Sequence, residues 1–145
     1  MHRWIYPAIL SLATPVLAAR AHHSIAGVYD SSQRIEVAGV VTEFRFVRPH
    51  AFLIIDANPG TAEPELWQLE MDNHFELIRV GMTTDTFRPG DRVVVVGSPG
   101  RVEARRIYIR RLDRLDDGFR YEQVGRSPRI IANVGRSDSI DGERR

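Results

Sequence analysis

The segment QRIEVAGVVTEFRF, residues 33–46, constrains the fold more than any other stretch. Ile35, Val37, Gly39 and Val41 share one face of an extended chain, and then the apolar phase slips to Phe44 and Phe46. Side chains alternate along a strand with a period of two, so a change of phase needs a bulge or a sharp coil. Gly39 is the residue at which such a bend costs least. A first strand long enough and bent enough to serve two sheets is what a small closed barrel requires.

The rest of the chain supplies the partners. Residues 51–57, AFLIIDA, are nearly continuous apolar and predict a strand covered on both faces, followed by a turn over NPGTAEP. Residues 65–71 alternate, with Trp67, Leu69 and Met71 inward and Gln68 and Glu70 outward. Residues 72–81 predict one short helix: Asp72 or Asn73 as cap, Phe75 and Ile78 at helical spacing, and Gly81 as stop. The RPGD turn at 88–91 leads into a fourth strand, RVVVVGS. A fifth strand places Ile107 and Ile109 inward and Arg106, Tyr108 and Arg110 outward. Three strands, a helix and two strands, with the first strand bent, is the layout of the five-stranded OB-type barrel. The alternative is an open antiparallel sheet with one covering helix. Cysteine is absent, so neither disulfides nor thiolate metal sites exist, and a domain of about 100 residues must be held by its apolar core alone.

The two ends differ in character from this middle. Met1 to Arg3 is a short positive start. An apolar run from Trp4 to Leu17 and a small-residue exit follow, which is the order of a secretory signal. The run holds Pro7 and Pro15 and falls short of the roughly 20 apolar residues a spanning helix needs. Cleavage after Ala19-Arg20-Ala21 would make His22 the new amino terminus; cuts after Ala18 or Ala19 also satisfy the small-residue rule. Downstream, Phe119 and Tyr121 can fold back on the barrel, after which Gly, Ser, Asp and Arg dominate. The expected division is a signal peptide over 1–21, an OB-like β-barrel over 22–121 and a flexible polar tail over 122–145. Export through a cleaved signal implies a periplasmic location without a transmembrane anchor.

Charge argues against one class of partner. The chain has 20 basic residues, all of them arginine. Losing Arg3 and Arg20 with the leader leaves 18 against 19 acidic ones, a net charge near −1. No long-range attraction for nucleic acid follows from that balance. Arg105, Arg106, Tyr108, Arg110 and Arg111 nevertheless read as an outward basic and aromatic stripe, the pattern with which OB barrels grip single strands. The plainer interpretation is a charged strand that discourages pairing between molecules.

Histidine carries the most specific chemistry. A processed end at His22 offers a free amine and a ring nitrogen to close a chelate, and His23 adds a second imidazole. His50 sits in FVRPHAFLI, where Pro49 fixes one backbone angle and restricts Arg48 as well. A ring held between a proline and a buried strand has the limited freedom a ligand position needs. Imidazole suits copper, zinc and nickel, and copper(II) binds such sites most tightly. His22, His23 and His50 are therefore the expected metal ligands. His74, at the helix start, is explained by that position and by a dipole that favours its neutral form.

The stretches AHHSIAGVYD, VAGVVTEFRFVRPHAFLIID and FRPGDRVVVVGSP, taken in order, resemble a family of small exported bacterial proteins of unknown function. Its processed members open with His-His-Ser and an aromatic-Asp pair, and carry an Asn-Pro-His turn before the second strand and a Pro-Gly-Asp turn before the fourth. The resemblance spans roughly Ala21 to Leu112. It carries over His22, His23, Ser24, Asp30, Pro49 and His50, with a departure at Arg48, where the family usually has Asn. It implies an exported OB-like barrel and supplies no activity.

No Gly-x-Ser-x-Gly, phosphate loop or His-Glu-x-x-His occurs, and Glu70 and Asp72 read as a solvated face and a helix cap. The chain is thus read as a binding module rather than an enzyme: a periplasmic metal binder, with copper the expected ion. The alternative is a barrel that takes a small molecule or a periplasmic protein partner. Single-stranded nucleic acid binding and a copper-dependent oxidoreductase rank below both.

Overall fold

The computed structural model describes residues 25–125 and 127–131. The expected signal peptide, His22, His23, Ser24 and residues 132–145 lie outside the described residues. A short helix, α1 (Ile25–Val28), precedes β1 (Ile35–Arg45), β2 (His50–Asp56) and β3 (Leu66–Asn73). Then come α2 (His74–Arg79), β4 (Arg92–Pro99), β5 (Arg106–Arg114), β6 (Arg120–Val124) and β7 (Ser127–Ile131). Among the described residues no helix is long and apolar enough to cross a membrane.

β1 pairs antiparallel with β2 through its second half and with β4 through its first. β2 continues to β3, and β4 to β5. A parallel pairing of β3 with β5, with Leu69 opposite Ile107 and Glu70 opposite Tyr108, closes the ring. Closure in this order, with one helix between β3 and β4, is the OB-type barrel, and the open-sheet alternative falls.

The phase slip in β1 is a bulge, and its position corrects the expectation. The register with β2 shifts between Val41 and Glu43, so the extra residue is Thr42 rather than Gly39. Gly39 answers a different need: a Cβ there would stand 2.5 Å from the Asp56 carbonyl oxygen on β2. β1 crosses its neighbour too closely at that point for any side chain.

Val41, Leu53, Ile55, Leu69, Met71, Val95, Ile107, Ile109 and Leu112 fill the interior, and burial of each large aliphatic side chain contributes about 1.5–3 kcal/mol. In β2 the buried set is Ala51, Leu53 and Ile55, while Phe52 and Ile54 are only half-covered, so the second face is partly open. The RPGD turn forms as expected. Gly90 takes φ 98°, the Asp91 amide donates to the Arg88 carbonyl at 3.1 Å, and the Arg88 amide donates to the Asp91 carboxylate at 3.0 Å. In α2, Asn73 is the cap, accepting from the Phe75 amide at 2.9 Å, and Gly81 ends the helix region at φ 91°. The buried residue of α2 is Leu77, whereas Phe75 and Ile78 are exposed, because a single turn and a half rests on the barrel through one side chain.

Paired structure continues past residue 121, the expected end of the barrel domain. β6 adds to β5 and β7 to β6, with Gly125 at φ 63° in the turn between them. Tyr121 and Ile130 tie this hairpin to the core.

Candidate functional site

A cavity of about 650 Å³ opens between α1, the start of β2, the middle of β3 and the segment joining β4 to β5. The face of strands 2 and 3 beside these loops is where OB barrels take their ligands. Ile25, Val28 and Phe52 supply apolar wall, and Tyr29, His50, Glu70 and Arg106 supply polar groups.

Backbone bonds hold the amino-terminal arm against this cavity. The Arg101 amide donates to the Val28 carbonyl at 2.9 Å, the Asp30 amide donates to the Pro99 carbonyl at 2.8 Å, and Tyr29 forms a bridge with Gly100. Tyr29 is 1% exposed, and its hydroxyl donates to Glu70 Oε2 at 2.5 Å. Asp30 does not line the cavity and closes a turn. It accepts from the Ser32 hydroxyl and amide at 2.6 and 3.1 Å and from Gln33 at 2.8 Å, bonds that hold its carboxyl below the usual range.

Glu70 corrects the outward, solvated reading of its position. It is 8% exposed, and Oε2 accepts a second bond from the Arg106 guanidinium at 3.0 Å. Arg106 also donates to the Tyr29 oxygen at 2.7 Å and to Glu103 at 2.9 Å. Burial opposes the charge of Arg106, but the bonds to Glu70 and Tyr29 outweigh it and raise its affinity for the proton. Burial first, then the Glu70 carboxylate, pushes the Tyr29 hydroxyl well above the ordinary phenol range.

His50 opens β2 directly after the cis Arg48–Pro49 bond and lines the cavity. Its Nδ1 lies 3.0 Å from the Met71 carbonyl oxygen and 3.6 Å from Glu70 Oε1. A carbonyl only accepts, so Nδ1 carries the hydrogen in the neutral ring and the lone pair falls on Nε2. Among the described residues no partner meets Nε2, and a ring with one nitrogen tied to a carbonyl and its lone pair on the other has the form of a ligand. His74 does not line this cavity. Its amide donates to the Pro49 carbonyl at 3.0 Å, its ring lies 4.4 Å from that of Phe46, and its Nδ1 is buried without a hydrogen-bond partner among the described residues.

Asp72 is also buried, at 4% exposure, and corrects the second acidic expectation, since Asn73 takes the cap. It accepts from the Tyr108 hydroxyl, from Tyr121 at 2.7 Å and from the Gln123 amide at 2.9 Å. The outward stripe on the fifth strand dissolves accordingly. Tyr108 is buried, Arg106 is paired to Glu70, and the Arg110 guanidinium lies over the Tyr108 ring at 4.9 Å. Arg111 pairs with Asp113 at 3.1 Å, and Arg105 lies 3.8 Å from Glu65. No stacking platform for bases remains on this strand.

Sequence reasoning reached His50 and Pro49 in this cavity and missed Tyr29, Glu70 and Arg106. Their only local signal is the aromatic-Asp pair at residues 29–30. The association depends on the β3–β5 pairing, which sets residues 36 apart in sequence side by side.

A family model matches residues 8–107, and the chain belongs to that family, a family of unknown function (DUF6152). No functionally curated protein matches the chain. Among solved structures, a chain of the S. pombe Stn1-ten1 complex is similar, with a TM-score of 0.45 at 14% identity. The match covers 58% of this chain and 59% of that one, so this chain spans less than two thirds of that neighbour.

Proposed function

We propose that this member of the family is an exported, periplasmic metal-binding module. The processed amino end at His22, the His23 ring and the His50 ring together hold one transition-metal ion, copper(II) foremost. One placement supports the reading above all: Ile25, where the described chain begins, lines the same cavity as His50. An extended chain covers at most about 3.6 Å per residue, so three residues reach at most about 11 Å from Ile25. Among the described residues no three of His, Asp and Glu gather into a metal-holding group, so the reading requires its further donors from the segment before Ile25. An amine and two or three imidazoles form the nitrogen set that copper(II) prefers.

The test compares the processed protein with a form carrying one extra Ala ahead of His22. The extension converts the terminal amine to an amide, and copper(II) affinity is expected to fall at least tenfold, roughly 1.4 kcal/mol. His50→Ala is expected to weaken binding comparably. Unchanged affinity in both forms removes the metal reading. Mass spectrometry of the amino terminus on protein recovered from the cell envelope fixes the processing site first.

A second reading has its own support. A cavity of about 650 Å³ with apolar walls and a few convergent polar groups falls within the range of small-molecule sites. A barrel that binds an organic ligand there would be indifferent to the added Ala.

A further inference from the structure

Glu70 divides its two oxygens between the two halves of the proposed site. Oε2 receives the Tyr29 hydroxyl at 2.5 Å, and Tyr29 is the buried anchor of the arm that leads back to His22. Oε1 faces His50 Nδ1 at 3.6 Å, on the ring that opens β2. Arg106 at 3.0 Å, itself gripped by Glu103 at 2.9 Å, keeps the carboxylate from turning. Nδ1 of His50 therefore meets a carbonyl at 3.0 Å and a carboxylate behind it, and both can only accept. A carboxylate behind an imidazole orients the ring and makes the opposite nitrogen a better donor to a metal.

We propose that Glu70 is the positioning residue of this site. Behind the Met71 carbonyl it adds to the preference of His50 for the Nδ1–H tautomer, with Nε2 unprotonated, and through Tyr29 it holds the amino-terminal arm beside the same ring. The inference rests on His50 acting as a ligand, yet its central claim concerns a tautomer that exists without metal and is read without it.

The experiment uses the 15N-labelled chain as recovered from its producing cells. Long-range proton–nitrogen spectra of the histidine rings are recorded metal-free, about two units above the ordinary imidazole pKa of ~6.5. His50 is expected to show Nδ1 protonated and Nε2 bare. Glu70→Gln is expected to shift the ring toward the Nε2–H form and to lower copper(II) affinity about 10–100-fold. Tyr29→Phe keeps the packed ring and loses only the hydroxyl, and should give a smaller shift in the same direction. Should Glu70→Gln not fold, Tyr29→Phe alone decides. An Nε2–H ring in the unaltered protein, or the same tautomer in all three proteins, overturns the inference, since the Met71 carbonyl would then set the ring alone. A tautomer that shifts as expected in a protein that takes up no copper upholds the positioning role and overturns the metal reading instead.

Discussion

Glu70 and Asp72 stand two residues apart on β3, and tyrosine hydroxyls reach both. At Asp72 both oxygens are taken, by Tyr108, Tyr121 and Gln123, and every donor belongs to the β5–β6 region that packs over the strand. At Glu70 one oxygen takes Tyr29 and Arg106, while the other faces His50 at the wall of a cavity. A carboxylate whose acceptor capacity is filled serves the fold. One with an oxygen in reserve beside a ligand-type side chain is available for chemistry. Acidity, burial and a tyrosine partner are common to both, so none of these separates the two; the state of the second oxygen does.

The strongest challenge to this contrast is Asp72→Ala. It leaves two buried hydroxyls and an amide without their acceptor, and each such group costs about 1–3 kcal/mol. A loss of about 3 kcal/mol or more is expected in urea unfolding, with copper affinity of the folded fraction unchanged. A greater loss of stability from Glu70→Ala than from Asp72→Ala would break the distinction.

Alkaline unfolding probes the tyrosines of both sites at once. Burial, followed by the Asp72 carboxylate, raises Tyr108 and Tyr121, and burial followed by Glu70 raises Tyr29. The folded state thus favours the neutral phenols. Their contribution is present in full below the ordinary phenol value of about 10 and is lost as pH rises above it. Phenolate absorbance from these three residues should be absent until a cooperative transition well above pH 10. A graded titration near 10 with the fold intact would contradict their assigned burial and bonding. The smallest expected effect sharpens the contrast from the other side: Tyr29→Phe removes one donor from Glu70 while Arg106 remains, and should cost about 1 kcal/mol by the same unfolding assay.

The barrel was legible because its elements announce themselves locally. A β1 whose apolar phase changes, a proline-glycine turn and a capped single helix are each visible within a dozen residues. The location of the bulge was not, since Gly39 and Thr42 both fit the pattern and only the pairing with β2 decides between them. The β6–β7 hairpin escaped for a related reason. Arg, Glu and Gln fill its open positions, and Tyr121 and Ile130 are the side chains that join it to the apolar core. The acidic pair escaped more completely. Alternation along residues 65–71 marks Glu70 as outward, which is true of the barrel interior, but the outer side of β3 is itself roofed by Tyr29 on one flank and by Tyr108 and Gln123 on the other. A roof assembled from residues 36 to 51 positions away has no signature in the strand it covers.

The single extra residue at Thr42 gives the molecule a parity. Upstream of it the odd-numbered side chains of β1 point to the interior, and downstream Phe44 and Phe46 do. Removing one amino acid at this point would turn both rings toward water, whereas a loop such as 58–64 can gain or lose a residue without reversing anything. Among relatives of differing length, the count of residues between Val41 and Phe44 should therefore be the figure that stays constant.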